Sequence, residues 1–491
     1  MECLRVFRKT TAVLVSLVLL IGALVPVQVS ADTPQNLSIQ ASTGPLVFTL
    51  ADLGDQVPIH TDKQAQFLDG SYVNIGTYAT GSAELSRPLP VTLSWAVKST
   101  DSSLGALPTS YTVTVSEYAD LSSPWVYTAS GTSLKVYNLK IGTTYYWAVS
   151  CVYGDTVCRS GTASFTTDGT APRNLYVDGV TNVRDMGGWP TVDGGYVRQG
   201  LLIRCGRLSA NNNGNPEITN KGKQTMVEEL GVRCEIELRK TTPNYQGITE
   251  YGGRTDSPLG ADNASYVICP LSYDGNVLTN PVNKDSIRTV FATLADESNY
   301  PIIFHCSIGT DRTGMIAYLV NGLLGVSETD LLRDYLFSNF GRIGSSRVTT
   351  GISKLYPLTI KSYEGASLSE KIYNYLSKEI GIPTGQLDSI IRILKQQPEE
   401  DTQPKGTPVS TAEEFAAMEP NGTYYLTQDI CVDTSYASTF TGTLDGYGHT
   451  VTVTVPLFAL CNGTVKNLTL AGEVCVTSGF AGALAAVSDG M

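Results

Sequence analysis

The sequence predicts a multidomain protein, an α/β domain flanked by a β-sandwich on one side and by the first rungs of a right-handed β-helix on the other. Three observations lead there. The chain has 491 residues, too many for a single hydrophobic core, which stops growing beyond about 250–300 residues. Apolar and polar residues alternate with period two before residue 170, strand and helix patterns interchange up to about residue 397, and short Gly-bounded strands recur near the end. Charged residues make up 16% of the chain and hydrophobic residues 42%, which excludes a disordered or collagen-like chain. A net charge of -12 excludes a general nucleic-acid binder, which needs a basic face.

Arg5, Arg8 and Lys9 precede an apolar run from Ala12 to Val25, and Val29-Ser30-Ala31 follows as a small-residue cleavage pattern. Residues 1–31 are therefore expected to be a cleaved export signal, which places the protein outside the cell or on its surface. The competing assignment, an uncleaved anchor, is disfavoured because a span needs about 20 apolar residues. Cys151 and Cys158 flank a Gly154-Asp155 turn. They face each other across that hairpin and are the expected disulfide. The three histidines, His60, His305 and His449, show no ligand spacing with one another or with cysteines, so no metal site is expected.

Residues 32–84 are rich in Thr, Gly and Ala and read as short strands without an assigned role. Residues 85–168 hold regularly spaced alternating segments around Trp95, Val113 and Trp147, the pattern of a β-sandwich. With Leu139 to Tyr145 leading into its last strands, this stretch resembles a fibronectin type III domain, a module that spaces or binds. Residues 172–397 read as α/β, with strands at 232–238, 266–270 and 299–307, a helix at 313–324, and a capping box at Ser327-Glu328-Thr329-Asp330 opening the next. Residues 398–408 form a charged, Pro-flanked linker. In 409–491, segments such as Phe440-Thr441-Gly442-Thr443-Leu444-Asp445-Gly446 resemble GLUG-type surface repeats. A solenoid that stops after so few rungs exposes an apolar end, so the chain is expected to be a fragment of a longer surface protein. Cell-surface or carbohydrate contacts are expected of these β-rich flanks.

The chemistry is concentrated in Ile302-Ile303-Phe304-His305-Cys306-Ser307-Ile308-Gly309-Thr310-Asp311-Arg312-Thr313-Gly314. A buried strand ends in Cys306, a tight loop follows, and Arg312 opens a helix. The backbone N–H groups of Ser307, Ile308, Gly309, Thr310, Asp311 and Arg312 can turn inward around one tetrahedral dianion, with the helix N-terminus behind them. The Arg312 guanidinium adds a fork matched to two phosphate oxygens. The same positive field lowers the Cys306 pKa and leaves a thiolate under the phosphorus, while Thr313 can hydrogen-bond the sulfur.

These residues carry the Cys-x5-Arg signature and resemble the protein-tyrosine-phosphatase superfamily. Asn182-Val183-Arg184-Asp185-Met186-Gly187-Gly188, the run from Tyr196 to Arg204, and Asp334-Tyr335-Leu336-Phe337-Ser338-Asn339 resemble motifs of its bacterial secreted tyrosine/lipid phosphatases. The resemblance implies a protein-tyrosine-phosphatase-like catalytic domain, a phosphocysteine intermediate, no metal or other cofactor, and a phosphorylated protein, lipid or small-molecule substrate. The family often has Lys where this chain has Thr310, which weakens any claim to highly phosphorylated inositide head groups. Arg184 and Asp185 are expected to buttress the loop, and His305 to position the Cys306 backbone.

Three carboxylates compete to protonate the leaving oxygen: Asp311 inside the loop, Asp274 just after the strand ending at Pro270, and Glu237 in Glu237-Leu238-Arg239. Two other classes remain open. A rhodanese-like sulfurtransferase also cradles an anion above a cysteine, but Arg312-Thr313-Gly314 and the Asn182 block favour phosphate. A surface adhesin that retains a phosphatase-like scaffold is the other, and the intact Cys306, Asp311 and Arg312 speak against it.

Overall fold

The computed structural model describes residues 2–5, 37–39, 43–70, 74–100, 105–242, 247, 249–272, 278–353, 359–396, 406–476 and 482–488. The chain folds as two compact units, residues 22–398 and a second comprising 1–21 and 399–491. The apolar run expected to be an export signal, and most of the linker at 398–408, lie outside the described residues. No helix of the described residues is long and apolar enough to cross a membrane.

The α/β part of the first unit is built on a five-stranded sheet in the order Arg184–Asp185, Leu202–Cys205, Ile302–His305, Cys234–Glu237, Ser265–Ile268. All neighbours run parallel except the first pair. Ile302–His305 is central and buried at every position, as expected of a parallel strand covered on both faces. Helices Lys284–Ala295, Asp311–Leu323, Glu328–Phe337 and Thr384–Leu394 accompany the sheet. The Ser327 hydroxyl accepts from the Asp330 N–H and opens Glu328–Phe337.

Ahead of this lie two antiparallel sheets, one containing Leu46–Ala51, Val91–Ser99 and Ser133–Val136, the other Tyr111–Ser116, Trp125–Ala129, Thr144–Tyr153, Thr156–Arg159 and Ala163–Thr166. Their alternate residues, Phe48, Leu93, Trp95, Val113 and Trp147 among them, are fully buried. The Tyr145 hydroxyl accepts the Lys140 N–H at 2.8 Å.

Two expectations change here. The division at residue 84 is crossed, because Leu46–Ala51 pairs with Val91–Ser99 in register from Leu46–Ser99 to Leu50–Trp95. Residues 32–84 also contain the helix Asp62–Asp69, opened by a Thr61/Gln64 capping box and burying Gln64, Phe67 and Leu68 on one face. Cys151 and Cys158 do stand opposite each other across the hairpin, but both are free thiols. Strand alternation turns both inward as buried packing groups, and the Cys158 sulfur fills space that a Cβ at Gly44 would enter at 2.8 Å.

The Asp62–Asp69 helix ties the N-terminal sheets to the α/β part. Phe67 is fully buried, with its ring 6.2 Å from Phe337 and 5.8 Å from Phe340 between centroids. Arg173, also buried, donates to Asp185 at 2.9 Å and to the Leu139 carbonyl at 3.1 Å.

In the second unit, strands stack in parallel ladders. Thr407–Val409, Thr423–Leu426, Thr443–Asp445 and Thr464–Lys466 form one, Ile430–Val432, Thr450–Val453 and Thr469–Val476 a second, and Tyr436–Phe440, Phe458–Cys461 and Ala485–Ser488 a third. Glu2–Arg5 adds to the edge of the second, antiparallel to Thr469–Val476. Phe415, Phe440 and Phe458 fill the interior between ladders.

Phe67→Ala removes a ring shared between the helix and the α/β part. Large-to-small changes of a buried aromatic cost about 3–5 kcal/mol. Urea denaturation of residues 22–398 should show a midpoint lowered by a corresponding amount.

Candidate active site

Cys306 stands where the central strand ends and is only 2% exposed. The chain then turns through residues 307–310 and enters helix Asp311–Leu323. Gly309 has φ of 70°, and a Cβ there would lie 2.2 Å from the Cys205 carbonyl oxygen. Glycine is required for the loop to pass so close to the neighbouring strand.

The loop is held from behind. The Asn182 amide donates to the Ile308 carbonyl at 3.1 Å, the Gly309 carbonyl at 3.2 Å and the Thr310 hydroxyl at 3.3 Å. Arg204 donates to the Gly309 carbonyl at 2.9 Å and to Asp334 at 2.5 Å. Arg184 donates to Asp334 at 2.8 Å and to the Asn182 amide oxygen at 2.6 Å. Asn182, Arg184, Arg204 and Asp334 are all buried. Burial opposes ionisation of Asp334, but the guanidinium groups of Arg184 and Arg204 hold its carboxyl below the usual range.

With the loop carbonyls drawn back, the N–H groups of Ser307, Gly309 and Thr310 have no backbone acceptor among the described residues. Those of Ile308 and Thr313 donate to the Cys306 sulfur. Burial works against the thiolate, yet Arg312, the Thr313 hydroxyl and these two N–H groups bring the Cys306 pKa below its ordinary value. The buried Thr313 hydroxyl has no other hydrogen-bond partner among the described residues.

Arg312 donates through Nη1 and Nη2 to the two oxygens of Glu250, at 2.7 and 2.9 Å. This end-on pair leaves the Nε edge of the guanidinium open, and a side-on fork there still fits two oxygens of an oxyanion. Glu250 also accepts the Lys240 N–H at 2.7 Å. Although burial opposes it, Arg312 and that N–H hold the Glu250 carboxyl below the usual range.

Beneath the cysteine lies a second charged layer. His305 bonds Glu235 through Nε2 at 2.8 Å and the Cys306 carbonyl through Nδ1 at 3.2 Å. Burial lowers the His305 pKa, but Glu237 and Glu235 more than reverse this and raise it above the usual value; both ring nitrogens face acceptor oxygens, the arrangement that an imidazolium satisfies. Arg239 donates to Glu237 through Nε at 2.9 Å and Nη2 at 2.6 Å. Glu235, Glu237 and His305 converge closely enough to suit a cation, but Arg239 and His305 already neutralise the two carboxylates.

The structure therefore sorts the predicted residues. Cys306, Ser307, Ile308, Gly309, Thr310, Arg312, Thr313 and His305 share one loop and its support. Asp311 sits at the start of the helix with both carboxylate oxygens on Arg347, at 2.9 and 2.8 Å. Thr310 is fully buried and supplies no cation. Arg184 buttresses the loop, but Asp185 does not. Adjacent residues of a strand face opposite ways, and Asp185 turns to Arg173 and to the N–H groups of Gly187 and Gly200. Glu237 is withdrawn into the ion pair with Arg239, fully buried, and is no proton donor to a ligand in the loop. Asp274 lies outside the described residues. Sequence reasoning missed Glu250, Arg204, Asp334 and Arg347 as site residues. Arg204 and Asp334 end and begin two of the quoted motifs and were legible there. Glu250 and Arg347 follow no local pattern.

Residues 175–390 match the model of the tyrosine phosphatase family. A Cupriavidus necator protein whose name carries a provisional tyrosine-protein phosphatase assignment is 28% identical over 184 residues, 34% of this chain and 63% of that protein. A tyrosine-protein phosphatase of Nostoc commune is 34% identical over 120 residues, 22% of this chain and 41% of that one. The chain thus spans less than two thirds of the length of either relative. Among solved structures, the core catalytic domain of the PP-IP phosphatase SIW14 from S. cerevisiae in complex with citrate aligns with 13% identity over 40% of this chain and 96% of that one, with a TM-score of 0.24.

Two measurements check this geometry. Asp334→Asn keeps the shape but leaves Arg184 and Arg204 without their counterion. Breaking a buried ion pair costs about 3–5 kcal/mol, which should appear as an equivalent loss in urea unfolding. Burial pushes Cys151 up to about 11 and Cys269 up to about 12, whereas Cys306 is depressed. A lowered pKa means that the reactive thiolate persists as pH falls. Alkylation by iodoacetamide should therefore keep a fast component below pH 8, and Cys306→Ser should remove it.

Proposed function

We propose that the chain is a cysteine-dependent phosphatase that hydrolyses phosphate monoesters, phosphotyrosine first among them, through a phosphocysteine intermediate. The observation that carries this is a buried thiol of depressed pKa beneath a loop in which the N–H groups of Ser307, Gly309 and Thr310 have no backbone acceptor among the described residues, with Arg312 beside it. The match of residues 175–390 to the tyrosine phosphatase family and the names of the two relatives support it. Phosphoserine, phosphothreonine and phosphoinositides are further substrates within the same chemistry.

The loop N–H groups and the Nε edge of Arg312 bind the phosphoryl oxygens, and Glu250 holds Arg312 in orientation. The Cys306 thiolate attacks phosphorus. An S–P bond forms as the P–O bond to the leaving group breaks, and the leaving oxygen takes a proton from a carboxylic acid. Water then attacks the phosphocysteine, gives a proton to the same carboxylate, and the S–P bond breaks to release phosphate and restore the thiolate. Asp311 at the loop rim is the proposed acid. Arg347 holds both of its carboxylate oxygens at that rim.

The flanking parts we read as a fibronectin type III-like spacer and the start of a right-handed β-helix, on a secreted or cell-surface protein. The antiparallel sheets before the α/β part and the parallel ladders after it support that reading.

Wild-type protein should release phosphate from p-nitrophenyl phosphate, with competitive inhibition by vanadate and no loss on EDTA treatment. Cys306→Ser should abolish turnover while the fold remains, and Arg312→Lys should lower it by orders of magnitude through loss of the planar fork. A general acid matters most for poor leaving groups, so Asp311→Asn should slow an alkyl phosphate far more than p-nitrophenyl phosphate. Equal slowing of both would remove Asp311 from this role.

A further inference from the structure

We propose that a cleft beside the phosphate loop is a subsite for a second anionic group, phosphoryl or carboxylate, carried by the substrate, and that the N-terminal part of the chain contributes Glu84 and Arg87 to it. This rests on the phosphatase reading above. The cleft has a volume of about 210 Å³, with Ser307 and Ile308 in its lining, Arg207 and Arg342 from the α/β part, and Glu84 and Arg87 from the N-terminal part. Complete small-molecule sites run to roughly 300–1,000 Å³. A cleft below that range, opening off the loop that takes the scissile phosphate, holds one further group of a ligand rather than a ligand of its own.

Its charges favour an anion. Both carboxylates are already engaged. Glu84 accepts the Ser86 N–H at 3.3 Å, the Arg342 N–H at 3.2 Å, and the hydroxyls of Ser86 and Thr181. Glu217 pairs with Arg207 at 2.9 Å. The other two guanidinium groups are not ion-paired among the described residues. Arg342 is bound through its backbone N–H, to Glu84 and to the Thr181 hydroxyl. Arg87 stacks over the Tyr176 ring at 4.5 Å, which orients its fork without neutralising it. In a chain of net charge -12, two arginines without an ion pair among the described residues give this cleft a positive bias beside the anion-binding loop, and a planar guanidinium matches phosphate and carboxylate alike.

The wall is also built before the ligand arrives. The Gly81 N–H donates to the Asn339 carbonyl at 2.8 Å, the Ile343 N–H to the Gly81 carbonyl at 2.9 Å, and the Leu85 N–H to the Phe340 carbonyl at 2.6 Å. These bonds lock residues 81–87 onto the segment that carries Arg342, so little ordering cost falls on binding.

The test compares substrate pairs that differ by one anionic group, glucose 1,6-bisphosphate against glucose 6-phosphate, and a phosphotyrosyl peptide with Asp next to the phosphotyrosine against the same peptide with Asn. Wild-type kcat/KM should favour the two-anion member at least tenfold in one pair. The first pair identifies phosphoryl as the second group and the second identifies carboxylate. Arg342→Ala and Arg87→Ala should each reduce that preference several-fold, and Arg342→Lys should retain part of it. A separate binding measurement on Cys306→Ser protein compares tripolyphosphate with orthophosphate by calorimetry, and the affinity ratio should fall when Arg342→Ala is added. Turnover of p-nitrophenyl phosphate with no preference that depends on Arg342 or Arg87 overturns the subsite and leaves the phosphatase reading standing. Arg342-dependent tripolyphosphate binding in a chain that hydrolyses no phosphomonoester overturns the phosphatase reading and leaves the subsite.

Discussion

One buried carboxylate organises the site. Asp334 lies between Arg184 and Arg204, and without it two fully buried guanidinium groups would face each other uncompensated. With their charge partly neutralised, both can serve the loop. Arg204 reaches the Gly309 carbonyl, and Arg184 orients Asn182, whose amide takes the carbonyls of Ile308 and Gly309. A peptide carbonyl pulled to one side turns its neighbouring N–H to the other. The anion-binding face of the loop is thus a consequence of hydrogen bonds made behind it.

The same division of labour governs charge. The positive groups of the site are each restrained by an acid: Arg312 by Glu250, His305 by Glu235, and Arg239 by Glu237. Each pair limits the net field while fixing a direction. Burial alone would raise the thiol, as it does for Cys205 and Cys269. Cys306 is depressed because Arg312, the Thr313 hydroxyl and the N–H groups of Thr313 and Ile308 favour the thiolate against its burial. An end-on carboxylate also orients a guanidinium while leaving its Nε edge free.

The N-terminal part is joined to the α/β part by buried aromatic and ionic contacts rather than tethered to it. Phe67 packs on Phe337 and Phe340, Arg173 reaches both Leu139 and Asp185, and Gln199 donates to and accepts from the backbone of Ile141. Such contacts give the segment bearing Arg342 and Arg347 a fixed seat, since the Ser346 hydroxyl and the Ile343 N–H are bonded to residues 80 and 81. The segment bearing Arg347, the partner of Asp311, is thus held from both sides, by Asn339 on the Arg347 backbone and by residues 80 and 81 on its neighbours.

What the sequence determined by itself was local. The run from Ile302 to Gly314 specified a buried strand, a glycine-dependent turn and a helix start, because each depends on backbone conformation and on residues a few positions apart. The strands at 234–237 and 265–268 and the Ser327 cap were legible for the same reason. What only the tertiary structure decided was pairing across distance. Nothing near Glu250 in the chain marks it as the partner of Arg312, Asp185 and Arg184 look equivalent until strand alternation sends them to opposite faces, and Glu237 reads as an available acid until Arg239 is seen to hold it. Cys151 and Cys158 were correctly placed opposite each other by turn geometry, yet their state as free thiols is a property of the packed interior. A charged side chain's role is set by which opposite charge the fold brings within 3 Å of it, and sequence spacing carries no record of that distance.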